Sequence, residues 1–140
     1  MNQSLPLQTP SPLVRLLLVL SATTGMVDAA SILGMDKVFT ANMTGNVVFA
    51  GFAAVGAQGF HAPYYIVALA AFMAGAVLAG RIWRMRARGR LSRWLVIAAM
   101  VESTMLVLAG GLALLFERTA ATTPATLWVL IALTAGAMGF

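Results

Sequence analysis

One acidic side chain stands inside a long apolar stretch near the start of the chain. Asp28 lies in the run from Leu13 to Leu33, which holds no other acid. Placing an aspartate at the centre of a membrane helix costs about 2.5–3.5 kcal/mol, so such residues pair with a partner or handle ions and protons. We therefore predict that Asp28 binds a proton, a cation or a substrate; a hydrogen bond between helices is the alternative.

Hydroxyl side chains share a helix face with Asp28, at spacings that place them in one stripe. The members of this stripe are Ser21, Thr24 and Ser31. Gly25 and Ala29 lie beside it with the four-residue spacing of small residues that allows helices to approach closely. We expect this face to point into the protein, and its hydroxyl groups to support Asp28.

A second polar constellation, Phe39 to Asn46, directly precedes a short apolar segment, Val47 to Ala57. The candidate ligand-binding residues in it are Asn42, Thr44, Gly45 and Asn46. Asn and Thr also cap helices, so a simple helix start is the alternative. Discontinuous helices of transporters present such a terminus and its side chains to a ligand. The sign of that ligand stays open, because a helix N-terminus favours anions and side-chain oxygens suit cations.

The composition indicates the solvent in which these residues are placed. Of 140 residues, 61% are hydrophobic and 9% are charged, and the mean hydropathy is +0.91. Soluble domains carry about 25% charged residues. The sequence therefore predicts an all-α, polytopic transmembrane bundle, with the lipid bilayer as its partner and a homo-oligomer as a possible assembly. After a flexible tail at 1–12, the candidate helices are 13–33, 43–57, 64–80, 94–116 and 127–140.

Two of these candidate helices are too short for a bilayer, which needs about 20 residues. Helix 127–140 stops on an apolar run, so we expect a chain truncated at its C-terminus, roughly the first half of a longer protein. Helix 43–57 either re-enters the membrane or crosses it as a short, polar-headed span. Re-entry places the N-terminus and Arg15 on the cytoplasmic side, and is the alternative we favour.

The positive charge is concentrated in one stretch, 81–93, that holds no acid. Its members are Arg81, Arg84, Arg86, Arg88, Arg90 and Arg93. Cytoplasmic loops of membrane proteins are enriched in such residues, so we predict a cytoplasmic loop that touches lipid headgroups. Few aromatic residues are interleaved with the arginines, so we expect no nucleic-acid partner.

Residue types that are rare or absent limit the chemistry. The chain has no cysteine and one histidine, His61, so it offers no thiolate site and no multi-histidine metal centre. Glu102 is a weaker second candidate for an acid inside the membrane. Without an evident set of nucleophile and base, we expect no enzyme, no metal and no cofactor.

Several motifs carry a resemblance to a known family. They are Gly25-Met26-Val27-Asp28-Ala29, Phe39-x-x-Asn42-Met43-Thr44-Gly45-Asn46, Phe72-x-x-Gly75-x-x-x-x-Gly80-Arg81 and the closing Met138-Gly139. With these motifs the chain resembles the YoaK-like bacterial integral membrane proteins, domain of unknown function 1275. The resemblance implies a bacterial inner membrane location and an internal repeat whose second copy begins near Gly139. It implies no activity.

These observations together lead to a functional hypothesis. We expect a multi-pass inner-membrane protein that moves a small solute, proton or cation, with Asp28 as the charged residue. The alternative is a membrane assembly or regulatory subunit, in which the polar residues hold helices together.

Overall fold

The computed structural model of the protein describes residues 11–85, 91–119 and 124–140, without the side chains of residues 91, 92 and 117–119. The chain forms five α-helices and no strand in these ranges. They are α1 (Pro12–Gly34), α2 (Met43–Ala54), α3 (Ala62–Met85), α4 (Leu91–Thr119) and α5 (Pro124–Gly139). Residues 1–10 of the predicted tail lie outside the described residues. Ser11 accepts a hydrogen bond from the Val14 N–H and caps α1, and Pro12 suits its first turn.

Helices α1, α3 and α4 are the three in the described ranges that are long and apolar enough to cross a membrane. Their outer surfaces are covered by leucine, valine and methionine side chains. Such a surface suits hydrocarbon and not water. The prediction of an all-α fold with membrane-spanning helices is confirmed.

The arginine stretch is more helical than the sequence indicated. Arg81 and Arg84 lie in α3, which continues to Met85, and Arg93 lies in α4, which begins at Leu91. The prediction of a loop over 81–93 is therefore wrong at these three arginines. Arginine is a good helix former, and its long side chain can reach the headgroups from a helix end, so the helices need not stop there. Arg86, Arg88 and Arg90 lie outside the described residues.

Helix α2 is shorter than predicted, ending at Ala54 and not at residue 57. Gly56 adopts a φ of +76°, the left-handed conformation that commonly follows a helix C-terminus. With a rise of about 1.5 Å per residue, α2 is only about 18 Å long, well short of the roughly 30 Å of a hydrocarbon core.

Helices α3 and α5 run in the same direction and pack closely. Tyr64 and Trp128, near their first turns, have ring centroids 4.9 Å apart, and Phe72 lies against Gly139 farther along both. A Cβ at Gly75 would collide with the Gly136 carbonyl, so only glycine permits this approach. A Cβ at Gly80 would meet nothing within 4 Å. Glycine is thus required for close packing at Gly75 and not at Gly80.

The core lies between α3, α5 and the segment that joins α1 to α2. Its fully buried apolar members are Val38, Tyr65, Ala68, Ile131 and Ala135. Helix α1 contributes little to it, since Ser31 is the residue of α1 that is buried. The first turns of α1 therefore present their side chains to the surroundings.

The helix ends lie at two ends of the bundle. The end of α1 and the start of α3 meet at what we call the His61 end, where Asp36 lies 3.7 Å from His61. At the other end, which we call the arginine end, Trp94 in the first turns of α4 lies 5.7 Å from Trp83 and 6.1 Å from Phe140. Helix α4 consequently runs opposite to α3 and α5.

Candidate functional site

The Asp28 carboxylate binds the backbone that leads into α2. Its Oδ1 accepts hydrogen bonds from the N–H groups of three successive residues, Thr40 at 3.1 Å, Ala41 at 2.7 Å and Asn42 at 3.3 Å. Backbone N–H groups before a helix carry partial positive charge and need acceptors. Asp28 thus anchors the residues that lead into α2, and its negative charge lies near the positive end of the α2 dipole.

Asn46 closes the same segment from inside α2. Its Oδ1 accepts the Phe39 N–H at 2.9 Å, and its Nδ2 donates to the Phe39 carbonyl at 2.6 Å. The Asn46 side chain has no exposed surface. A primary amide is well suited to this role because it offers one acceptor and one donor side by side, as a paired backbone would. Asn46 therefore fixes the extended residues before α2 against the helix itself.

Gly45 and Asn42 complete the turn. Asn42 is the N-cap of α2, and its side chain accepts the Gly45 N–H at 3.3 Å. The Phe39 ring lies against Gly45, where a Cβ would collide with it, and its centroid is 5.3 Å from that of Phe49. Glycine is thus required for the close approach of the Phe39 ring, and the aromatic pair holds the turn.

The two connections that flank α2 meet at the His61 end. Lys37 Nζ donates to the Gly59 carbonyl at 3.3 Å and lies 4.9 Å from the centroid of the Phe60 ring. Asp36 lies beside His61. The chain therefore leaves α1 and joins α3 at the same end of the bundle, and α2 does not carry it to the other end. The described residues have the path that the re-entrant alternative predicts, with both connections of α2 at one end of the bundle.

The re-entrant segment, residues 35–61, reaches into the bundle beside α1. Asp28 lies six residues before Gly34 in the sequence, which is roughly 9 Å along the helix axis. Residues 38–42 must descend that far to meet its carboxylate, and α2 then returns to the His61 end. The first turn of α2 is consequently held at the depth of an acid inside a membrane span.

Two buried hydroxyl groups near this segment have no hydrogen-bond partner in the described part of the chain. They belong to Thr40 and Tyr65, both without exposed surface. Sequence reasoning did not single out either residue. Thr40 lies within the Phe39–Asn46 constellation, whose polar composition was the available signal. Tyr65 lies near the start of a span, where interfacial aromatic residues are common, and its packing against Phe49 distinguishes it from them.

The other predicted site residues take no part in the hydrogen bonds that hold residues 39–42. Thr44 is exposed. The Thr24 hydroxyl donates within its own helix to the Leu20 and Ser21 carbonyls, and Ser31 donates to the Asp28 carbonyl. The stripe on α1 is therefore bonded locally, and only Ser31 at its end is buried.

The prediction that the whole α1 face points into the protein is wrong for its first part. Ser21, Gly25 and Ala29 are exposed in this chain, and a Cβ at Gly25 would meet nothing within 4 Å. The physical reason is that α1 contacts the rest of the chain near its end, through the Asp28 carboxylate and the buried Ser31, whereas residues 12–23 are exposed.

The acids and histidine do not assemble into a metal site in the described residues, where no three such side chains lie close enough to hold an ion. Glu102 is half-buried in α4, and no hydrogen bond or ion pair joins it to another described residue. It is therefore separate from the Asp28 cluster.

Three long apolar helices, with the short helix α2 bound to one of them through Asp28, indicate a multi-pass helical membrane protein. The chain belongs to the family described as "Protein of unknown function (DUF1275)", whose match covers residues 16–140. This confirms the resemblance carried by the sequence motifs. Comparison with curated proteins and with solved structures gave no match.

Proposed function

We propose that this protein carries a small solute or an ion across the bacterial inner membrane, with the re-entrant segment as its moving part. One observation carries the proposal: Asp28, an acid within a membrane span, binds the three N–H groups that precede α2. Broken helices that expose a terminus near the centre of the membrane are a recurrent way of building solute sites in transporters.

The Asp28 contact is reversible by its chemistry. A hydrogen bond to an ionised acceptor is about twice as strong as one between neutral groups. Protonation of Asp28, or neutralisation by a cation, weakens all three bonds to the re-entrant segment together. The second carboxylate oxygen, Oδ2, has no hydrogen bond to another described residue. It is the atom that we assign to the proton or cation.

The polar residues at the start of α2 supply the proposed remainder of the site. Asn42 and Thr44 are exposed, so their side chains are accessible to a solute. Asn46 is committed to Phe39 and positions the turn. Gly45 leaves room for the Phe39 ring. In this proposal Asp28 binds the charge, and the amide and hydroxyl groups contact the solute.

The proposed orientation places the arginine end on the cytoplasmic side. Arg81, Arg84 and Arg93 lie there with Trp83 and Trp94, an aromatic and basic combination that suits a headgroup region. The His61 end then faces outward, and solute reaches the re-entrant segment from that side. The proposed transport involves no cofactor and no nucleic-acid partner.

The test compares two acids within membrane spans. Full-length protein is reconstituted into liposomes that contain a pH-sensitive dye, and proton movement is recorded with a panel of amines, carboxylates, sugars and metal ions. We expect Asp28→Asn to abolish pH-dependent flux and Glu102→Gln to retain it. Asparagine keeps a side-chain oxygen for the three N–H groups, so in the transport proposal the yield of folded protein stays the same. Unchanged flux in Asp28→Asn removes Asp28 from the mechanism.

A membrane assembly or regulatory subunit is the second candidate, favoured by the exposed small-residue face of α1. Gly25 and Ala29 offer a surface on which another helix can pack closely. In that case Asp28→Asn lowers the yield of folded protein, and no member of the solute panel moves or stabilises the protein. The two candidates therefore differ in both flux and ligand-dependent thermal stability.

A further inference from the structure

A cavity of about 720 Å³ opens at the His61 end, apart from the Asp28 cluster. It lies between the end of α1, the start of α3, the end of α4 and the start of α5. Its apolar lining includes Leu33, Ala113, Phe116, Leu127 and Leu130. Pockets that bind small organic molecules commonly have volumes of 300–1,000 Å³, an apolar lining and a few polar groups.

Asp36 is the charged side chain among the described residues that line this cavity. The neighbouring Lys37 does not neutralise it, because its ammonium group is bound to the Gly59 carbonyl and lies over the Phe60 ring. No lysine or arginine in the described part of the chain lies within ion-pair distance of Asp36. The His61 imidazole, 3.7 Å away, is its neighbour. The cavity therefore combines an apolar wall with a carboxylate.

The backbone holds this carboxylate in a fixed turn. Asp36 and Lys37 have φ values of 53° and 61°, a left-handed conformation that most residues avoid. The Lys37 N–H donates to the Ile32 carbonyl at 3.2 Å and the Met35 N–H to the Ser31 carbonyl at 2.8 Å, as in the ordered C-terminal turns of helices. Asp36 is thus presented by the end of α1 and not by a free loop.

We propose that the cavity binds a small organic cation, an ammonium group on an alkyl or aromatic body. The apolar lining removes the body from water, and Asp36 supplies the opposite charge. A metal ion fits this site poorly, because hard cations need six or more oxygen ligands and the wall is mainly hydrocarbon. The ammonium group can come from a free amine or from the headgroup of phosphatidylethanolamine. This site stands independently of the proposed transport function.

The first experiment measures the charge preference of the cavity. The full-length protein is placed in nanodiscs of phosphatidylglycerol, which carries no amine, and titrated calorimetrically with benzyltrimethylammonium. Phenylacetate, with a similar apolar body and the opposite charge, is the matched ligand. We expect saturable binding of the cation only. Equal binding of both, or no binding of the cation, overturns the proposal.

Two pairs of variants locate the binding. Asp36→Asn should weaken binding about fivefold to tenfold, a modest effect because the carboxylate is partly exposed to solvent. Glu102→Gln, which removes an acid elsewhere, should leave binding unchanged. Asparagine also tolerates the left-handed backbone, so the turn is preserved. Ala113→Phe narrows the cavity and should weaken binding, whereas Ala99→Phe on the exposed surface of α4 should leave it unchanged. Full affinity in Asp36→Asn or Ala113→Phe refutes the site.

A third arm separates the two sources of the ammonium group. The titration is repeated in nanodiscs that contain phosphatidylethanolamine. Loss of benzyltrimethylammonium affinity there identifies the lipid headgroup as a competing occupant of the cavity, and unchanged affinity assigns the cavity to a free amine. Both results support the ammonium site, because each requires binding in the amine-free nanodiscs.

Discussion

Replacing Asn46 with alanine removes both hydrogen bonds that fix residue 39 to α2. The Phe39 N–H and carbonyl, at 2.9 and 2.6 Å from the amide, are then left without these partners. A buried polar group without a partner costs about 1–3 kcal/mol. Since Phe39 is half-buried, water reaches part of this peptide, and we expect a loss of about 2–4 kcal/mol in the free energy of unfolding.

Asn42 provides a matched control four residues earlier in the same motif. It is exposed, and its side chain makes one long capping hydrogen bond, 3.3 Å to the Gly45 N–H. Removal of an N-cap costs about 1 kcal/mol. Asn42→Ala should therefore be clearly less destabilising than Asn46→Ala, although both replace the same residue type in the same turn.

Unfolding by dodecyl sulfate in mixed micelles, followed by tryptophan fluorescence, measures this difference. Asn46→Leu separates hydrogen bonding from packing, because leucine restores the volume but not the two bonds. We expect Asn46→Leu to unfold nearly as readily as Asn46→Ala. Rescue by leucine, or equal effects of alanine at positions 42 and 46, would show that the amide pair does not hold the re-entrant segment.

Two further predictions concern the packing and the topology. Gly75→Ala should lower the free energy of unfolding by about 1–3 kcal/mol, because its Cβ overlaps the α5 backbone. Gly80→Ala should be neutral or stabilising. Equal effects of the two substitutions in the same unfolding assay would contradict the close α3–α5 contact. Single cysteines at Ser4, His61 and Ser92, treated with a membrane-impermeant thiol reagent in intact cells, should be labelled at His61 only. Labelling at both Ser4 and His61 would show instead that α2 crosses the membrane.

The helical class and its membrane setting could be predicted from composition and segment length. Hydrocarbon needs about 20 apolar residues per helical span, and this is a local property of the chain that requires no knowledge of contacts. A cap at Asn42 or Thr44 was predictable too, since a cap bonds residues close to it in sequence, and the structure has Asn42 in that position. The sequence also favoured a re-entrant second helix, but it left the crossing alternative open.

Most residues of the candidate site could be predicted from the sequence, but the hydrogen bonds between them could not. Asp28, Asn42, Gly45 and Asn46 were singled out by type and setting, and the structure brings them into one cluster. Thr44 resembles them in sequence, but its side chain makes no hydrogen bond to another described residue. Periodicity alone could not separate these cases, because it places residues on a helix face without saying what that face meets.

What the sequence determined by itself is a hydrophobic, helical chain with an acid inside its first span and a polar turn before its second helix. Only the tertiary structure decided that the acid binds that turn. Asp28 and Ala41 are thirteen residues apart, and they meet because the chain turns back after α1, where Asp36 and Lys37 adopt the left-handed conformation. A contact at that separation depends on the path of the backbone between its partners, and residue types alone do not specify that path.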